Sequence, residues 1–142
     1  LYPSICFFEG TPLSLGRGTY FPFQVVGYPD KKFGEFNFTP ESIDGMSKNP
    51  PLENKLCYGI DLRNEAHLDH ISLKYLIDFY KKWEGDKPFF NSNFFDKLAG
   101  NSSLREQIVA GKTEEEIKSS WQEDLDKYKT LRKKYLLYND FE

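Results

Sequence analysis

The character of the sequence changes near residue 65, and this change constrains the fold more than any other feature. Residues 1–64 contain short apolar runs separated by Gly, Pro and Asn residues, whereas apolar residues recur at helical spacing in residues 65–142. Strands followed by helices favour an α+β fold over alternating βαβ units. We therefore predict one domain, with a small mixed or antiparallel sheet from the N-terminal half covered by C-terminal helices.

The first half carries the signals of four strands. Short continuous or alternating apolar runs predict them at residues 4–9, 21–26, 36–39 and 56–62. The last of these runs alternates, so it places Tyr58 and Asp61 on opposite sides of its strand.

The second half carries the signals of four helices. Apolar spacing predicts one helix that ends near Gly85 and a shorter one at residues 94–98. Capping-box spacing predicts two further helix starts, at residues 103–106 and 113–116.

The longest predicted helix begins at the second capping box. Its predicted core stripe is Ile117, Trp121, Leu125, Tyr128 and Leu131 or Arg132. The apolar residues 135–138 that close the chain predict an edge strand or a docked tail.

Composition excludes several classes of protein. A net charge of −3 provides no overall field for nucleic acid. Apolar runs of four or five residues are far too short for a membrane span.

Cys6 and Cys57 allow at most one disulfide, and free, buried thiols are favoured. Because the chain begins without Met, we expect a processed chain or a fragment.

The motifs of common cofactor and metal sites are incomplete, so no cofactor and no metal is predicted. His67 and His70 lie near Glu65 and Asp69, but their spacing differs from the helical zinc motif and favours a solvated helix start. There is no Gly-x-Ser-x-Gly, and the glycines at 16 and 18 lack the third glycine of a dinucleotide fingerprint.

The segment from Cys6 to Thr19 combines an apolar run, a carboxylate, an arginine and several glycines. The run predicts a buried strand that ends at Glu9, and two glycines around Arg17 predict a mobile loop that presents its guanidinium. One hypothesis is a ligand-binding loop. The alternative is that Glu9 and Arg17 pair with each other and hold a tight turn.

Carboxylates and one arginine among aromatic residues suit the binding of a sugar or a small acid. Glycoside cleavage usually requires two carboxyl groups beside the scissile bond. Glu9 and Asp61 are the best candidates for such a pair, since both lie in or at the end of predicted strands.

Several blocks of the sequence carry a resemblance to a known family. They are Phe8-Glu9-Gly10-Thr11, Ser14-x-Gly16-Arg17-Gly18-Thr19, Cys57-Tyr58-Gly59-x-Asp61-Leu62, Phe95-Asp96-Lys97-Leu98-Ala99-Gly100 and the closing residues 132–138. Together they resemble the C-terminal region of the exo-β-N-acetylmuramidases, the NamZ-type peptidoglycan hexosaminidases. The resemblance covers essentially the whole chain.

The resemblance implies a second domain outside this chain. Members of the family have an N-terminal Rossmann-like domain that this chain lacks, and their active site lies where the two domains meet. The general acid/base glutamate is expected on that other domain, so the catalytic residues of this chain stay unknown. The substrate-binding residues implied by the matching blocks are Glu9, Thr11, Arg17, Thr19, Tyr58 and Asp61.

The family's substrates are peptidoglycan-derived glycosides with a terminal N-acetylmuramic acid, whose lactyl group carries a carboxylate. The resemblance implies that Arg17 binds this carboxylate while Glu9 orients Arg17 or hydrogen-bonds the sugar. It also implies a periplasmic or extracellular location. The alternative is a non-catalytic carbohydrate-binding or structural module.

Overall fold

A computed structural model describes residues 1–66 and 68–140 of the protein. Within them, three strands form one antiparallel sheet in the order β1-β3-β2. The strands are β1 (Val25–Tyr28), β2 (Phe36–Phe38) and β3 (Cys57–Asp61). The helices are α1 (Tyr2–Ile5), α2 (Lys74–Lys82), α3 (Ser92–Ala99), α4 (Ser103–Val109) and α5 (Glu114–Arg132). The predicted α+β fold is confirmed.

Gly59 lies on the central strand, where the backbones of neighbouring strands come very close together. This residue pairs with Gly27 on β1 and with Phe36 on β2. A Cβ added to Gly59 would lie 1.8 Å from the carbonyl oxygen of Val26. Position 59 therefore requires glycine, because backbone atoms cannot move aside as a side chain can.

The strand predicted at residues 4–9 is wrong. Residues 2–5 form α1, and Cys6–Gly10 continues as a 3₁₀ helix. Pro3 lies in the first turn of α1, where a missing N–H costs nothing. A short apolar run fits a buried helical turn as well as a strand, and here Phe8 is fully buried with its ring edge-on to Phe79.

The strand predicted at residues 21–26 begins later than expected. Phe23 has a φ of 60°, and the amide of Gln24 donates to the carbonyl of Phe21. These residues therefore turn, and pairing with β3 starts at Val25. The strands predicted at 36–39 and 56–62 correspond to β2 and β3.

Aromatic side chains fill the core between the sheet and the helices. The ring of Phe33 stacks on Phe79 at 5.3 Å between centroids, and Phe90 meets Phe95 at 4.6 Å. A Cβ on Gly10 would lie 2.8 Å from the Cβ of Phe95, so the 3₁₀ helix presses directly against α3. Aromatic packing thereby fixes the position of the 3₁₀ helix that carries Glu9.

One of the two predicted capping boxes is present. The Thr113 hydroxyl accepts from the amide of Glu116 at 3.2 Å, and the Glu116 carboxylate accepts from the amide of Thr113 at 2.8 Å. The box predicted at Ser103 is absent, because Ser103 is already inside α4 and its amide donates to Asn101. The Ser103 hydroxyl accepts instead from Gln107.

The predicted core stripe of α5 is only partly in the core. Ile117 is buried and Trp121 half-buried, but Leu125, Tyr128 and Leu131 are 44%, 61% and 50% exposed. Residues 135–138 form neither an edge strand nor a docked tail, since Leu137 is 90% exposed. The predicted helix is therefore present, but the described residues do not cover the apolar side chains at the end of this stripe.

Both cysteines are free thiols, as predicted. Cys57 is buried, and burial raises its pKa to about 11. Cys6 is only half-buried, because it lies on the 3₁₀ helix and not in a strand. Among the described helices, none is long and apolar enough to cross a membrane.

Candidate functional site

The loop that carries Arg17 is tied to the sheet. The amide of Ser14 donates to the carbonyl of Gly27 at 2.8 Å, and the amide of Gly27 donates back at 3.0 Å. Gly18 has a φ of 80°, and a Cβ there would lie 2.5 Å from the carbonyl oxygen of Glu41. The glycine at position 18 thus allows close packing of the loop against its neighbours, where the sequence had suggested an unhindered loop.

Thr11 and Thr19 both use their hydroxyls on the backbone. The Thr19 hydroxyl donates to the carbonyl of Gly16 at 2.6 Å and accepts from the amide of Phe21 at 3.2 Å. The Thr11 hydroxyl donates to the carbonyl of Phe8 at 2.7 Å. These contacts fix the two ends of the Arg17 loop, while substrate contact by either threonine stays a prediction.

Glu9 and Arg17 form an ion pair at the surface. Nη2 of Arg17 donates to Oε1 of Glu9 at 2.6 Å. The guanidinium lies 4.8 Å from the centroid of the Phe23 ring, and Tyr2 packs on Phe23 at 5.0 Å. The Arg17 side chain is nevertheless 47% exposed. One contact with a carboxylate and one with a ring thus hold an accessible guanidinium in place.

This pairing is the one that the tight-turn alternative expects. It is not what holds the loop, however, since backbone hydrogen bonds from Ser14, Thr19 and Phe23 already do so. An ion pair with one partner half exposed contributes little stability. The pair therefore orients Arg17 more than it supports the fold.

Asp61 belongs to a different pair, with Arg63. Nε and Nη2 of Arg63 donate to the two oxygens of Asp61 at 2.9 and 2.7 Å, and the amide of Arg63 donates at 3.0 Å. These hydrogen bonds hold the pKa of Asp61 below its usual value. An aspartate held charged in this way is poorly suited to donate a proton.

Arg63 repeats the arrangement of Arg17. Its guanidinium lies 4.8 Å from the ring centroid of Phe21 and 5.4 Å from that of Phe36. The amide of Leu62 donates to the carbonyl of Gln24, which ties the strand end that carries Asp61 and Arg63 to the turn at 21–24. The sequence reasoning missed Arg63. An Asp and an Arg two positions apart at a strand end would have indicated it.

Tyr58 lies on the central strand, between β1 and β2. It pairs with Tyr28 on β1 and with Asn37 on β2, and Lys31 is 5.8 Å from its ring centroid. Since it is three positions from Asp61, the two side chains face opposite sides of the sheet. The six predicted substrate-binding residues are therefore spread over more than one surface.

Two open grooves flank the Glu9 segment. The larger, of about 770 Å³, includes Phe7, Ile71, Trp121 and Leu125 in its lining. The smaller, of about 430 Å³, is bordered by Thr11, Pro12, Asn91 and two phenylalanines. Its walls are joined by the amide of Asn91, which donates to the carbonyl of Gly10 at 2.8 Å. An apolar floor with amide and hydroxyl groups at its rim suits a sugar ring.

The described residues contain no cluster of three or more potential metal ligands. The ring Nδ1 of His70 lies 2.7 Å from Oδ1 of Asp69. His67, the other residue weighed as a zinc ligand, lies outside the described part of the chain.

Comparison with known proteins gives consistent matches along the whole chain. Residues 1–138 match the family described as exo-β-N-acetylmuramidase NamZ, C-terminal. The chain is 32% identical to the peptidoglycan β-N-acetylmuramidase NamZ of Bacillus subtilis (strain 168), over 97% of this chain and 37% of that protein.

A solved structure has the same fold. The crystal structure of a DUF1343 family protein from Bacteroides fragilis matches with a TM-score of 0.88 and 49% identity, over 98% of this chain and 40% of that one. The chain thus spans about two fifths of the length of both relatives.

Proposed function

Because the chain belongs to the family of C-terminal regions of NamZ-type exo-β-N-acetylmuramidases, we propose that it is the C-terminal part of a peptidoglycan-degrading glycoside hydrolase. In this proposal the whole enzyme releases terminal N-acetylmuramic acid, outside the cell or in the periplasm. This chain supplies one wall of a cleft, and an N-terminal domain supplies the other wall and the catalytic acid.

The observation that carries the proposal is the oriented, accessible guanidinium of Arg17. Muramic acid differs from glucosamine by a lactyl group, which adds a carboxylate to the sugar. A guanidinium binds a carboxylate through two parallel N–H···O bonds. Among the described residues, the contact with Glu9 engages a single nitrogen of Arg17, so the remaining N–H groups can reach a second carboxylate.

Glu9 acts on Arg17 in this proposal, and not on the glycosidic bond. Its carboxylate fixes the rotamer of Arg17 against the Phe23 ring. A fixed guanidinium loses less side-chain entropy when it binds a ligand. The groove beside Thr11 and Asn91 is the proposed location of the sugar ring, because it begins immediately after Glu9 and Gly10.

The test compares two substrates in the full-length enzyme. We expect Arg17→Ala to lower kcat/KM on an N-acetylmuramic acid glycoside about 10- to 150-fold, the value of a charged hydrogen bond of about 1.5–3 kcal/mol. The N-acetylglucosamine glycoside, which has no carboxylate, should lose less than about 3-fold. Arg17→Lys should recover part of the loss, because it restores the positive charge but not the two parallel N–H donors of a guanidinium.

Arg63→Ala is the matched control, since Arg63 is also paired with a carboxylate and stacked on a ring. It should affect both substrates alike. Equal losses on the two substrates with Arg17→Ala would contradict the recognition role. Release of N-acetylmuramic acid by this chain alone would contradict the placement of catalysis on the other domain.

A further inference from the structure

The second half of α5 presents an apolar surface that the described part of the chain leaves uncovered. We call it the α5 face, and it consists of Trp121, Leu125, Tyr128, Leu131 and, just beyond the helix, Tyr135. At 100° per residue these side chains lie within about 120° of one another. All except Trp121 are more than 40% exposed.

The helix extends beyond the core that supports its start. Ile117 is buried, and the Ser120 hydroxyl donates to Gln107 on α4 at 3.2 Å. Residues 122–132 continue for about 16 Å at the helical rise. A helical stretch of this length is marginal in water when nothing packs against it. Another element that packs on the α5 face would therefore stabilise this part of the helix.

The α5 face continues into the larger groove. Trp121 and Leu125 belong to both, and Phe7 and Ile71 line the groove further in. Phe7 belongs to the same 3₁₀ helix as Glu9, so the helix that lines part of this groove also carries the carboxylate that binds Arg17. An element seated in this groove would therefore contact the 3₁₀ helix that carries Glu9.

We propose that the α5 face and its groove are the docking surface for the N-terminal part of the same protein. The inference rests on the proposed two-domain organisation and adds the surface through which the domains meet. The matched family is described as a C-terminal region, and about three fifths of each relative lies outside the match. A covalently linked domain is present at high effective concentration, so it can occupy this surface without a separate binding partner.

The test is hydrogen exchange in the full-length protein. Amides of residues 122–132 should exchange at least 10-fold more slowly in full-length protein than in the chain of residues 1–142. The substitutions Leu125→Gln and Leu131→Gln together should abolish this protection, because they remove apolar contacts and keep good helix formers. The control pair Glu123→Gln and Thr130→Gln introduces the same residue on the opposite face and should leave protection unchanged.

The oligomeric state is measured on the same samples. A monomeric full-length protein with protection that depends on Leu125 and Leu131 supports the proposal. A dimer whose dissociation removes the protection would overturn it in favour of a second copy. Equal exchange in the two proteins would also overturn it. Failure of Arg17 to discriminate the two glycosides leaves these exchange results unaffected, so the two proposals fail separately.

Discussion

At the scale of single residues, two arginines lie on aromatic rings and each is held by one carboxylate. Arg63 is bound through two nitrogens and Arg17 through one. This difference separates their roles, because a guanidinium already matched to one carboxylate has fewer donors for another. Arg17 is thus the better candidate for binding a ligand, and Arg63 the better candidate for holding the strand end.

Part of this arrangement could be predicted from the sequence. Only seven residues separate Glu9 from Arg17, and two of them are glycines, so the pairing of the two side chains could be expected from the sequence. The position of Arg17 on Phe23 could not be predicted, since it depends on the positive φ of Phe23. Asp61 was predicted to form a pair of carboxyl groups with Glu9. It forms an ion pair with Arg63 instead, two positions further along the chain.

Glu114 links the start of α5 to the segment before α2, and this link should depend on pH. Its Oε1 accepts from the amide of Leu73 at 2.9 Å and from Lys118 at 2.7 Å. Burial opposes ionisation of Glu114, but these hydrogen bonds outweigh it and lower the pKa. A lowered pKa in the folded state stabilises the protein above the unfolded-state pKa, near 4.5.

We therefore expect Glu114→Gln to lower the free energy of unfolding by about 1–2 kcal/mol at pH 7. The difference from the unsubstituted protein should shrink as pH falls below about 4.5 and disappear below the lowered folded-state pKa, where Glu114 is protonated in both states. Urea unfolding at pH 7, 5 and 3.5 measures this. A difference that stays constant over the whole range would mean that charge plays no part.

At the scale of elements, the patterns with a clear period predict best. Strand β3 alternates and helix α5 begins with a capping box, and both are found where expected. The run Ile5-Cys6-Phe7-Phe8 has no period, so it could not distinguish a strand from the helical turns that form. Residues 21–26 were misjudged for a related reason, since their turn depends on the unusual φ of Phe23.

The sheet itself gives a prediction at Gly59. Gly59→Ala should lower the free energy of unfolding by more than about 2 kcal/mol, because its Cβ would overlap a backbone carbonyl. Gly45→Ala is the control. Nothing lies within 4 Å of its Cβ, so the cost is the left-handed backbone alone, about 1 kcal/mol. Equal losses in thermal or urea unfolding would show that the strands separate easily at Gly59.

At the scale of the whole molecule, the described residues form a well-buried core but leave a large apolar surface exposed. The core closes around Phe8, Phe79 and Phe95, which are almost fully buried. The exposed α5 face and the accessible Arg17 site are what a domain that meets another one should show. The sequence predicted the apolar stripe and the Arg17 loop. It could not predict that the stripe runs past the core, because periodicity does not reveal what a helix packs on.

The central claim is that Arg17 binds the carboxylate that distinguishes muramic acid from glucosamine. The most direct measurement is a crystal structure of the full-length protein with N-acetylmuramic acid bound. We predict two N–H···O contacts of about 2.7–2.9 Å between Arg17 and the lactyl carboxylate, with Glu9 still paired to Arg17. A lactyl carboxylate that points away from Arg17, toward solvent or another cation, would contradict the claim.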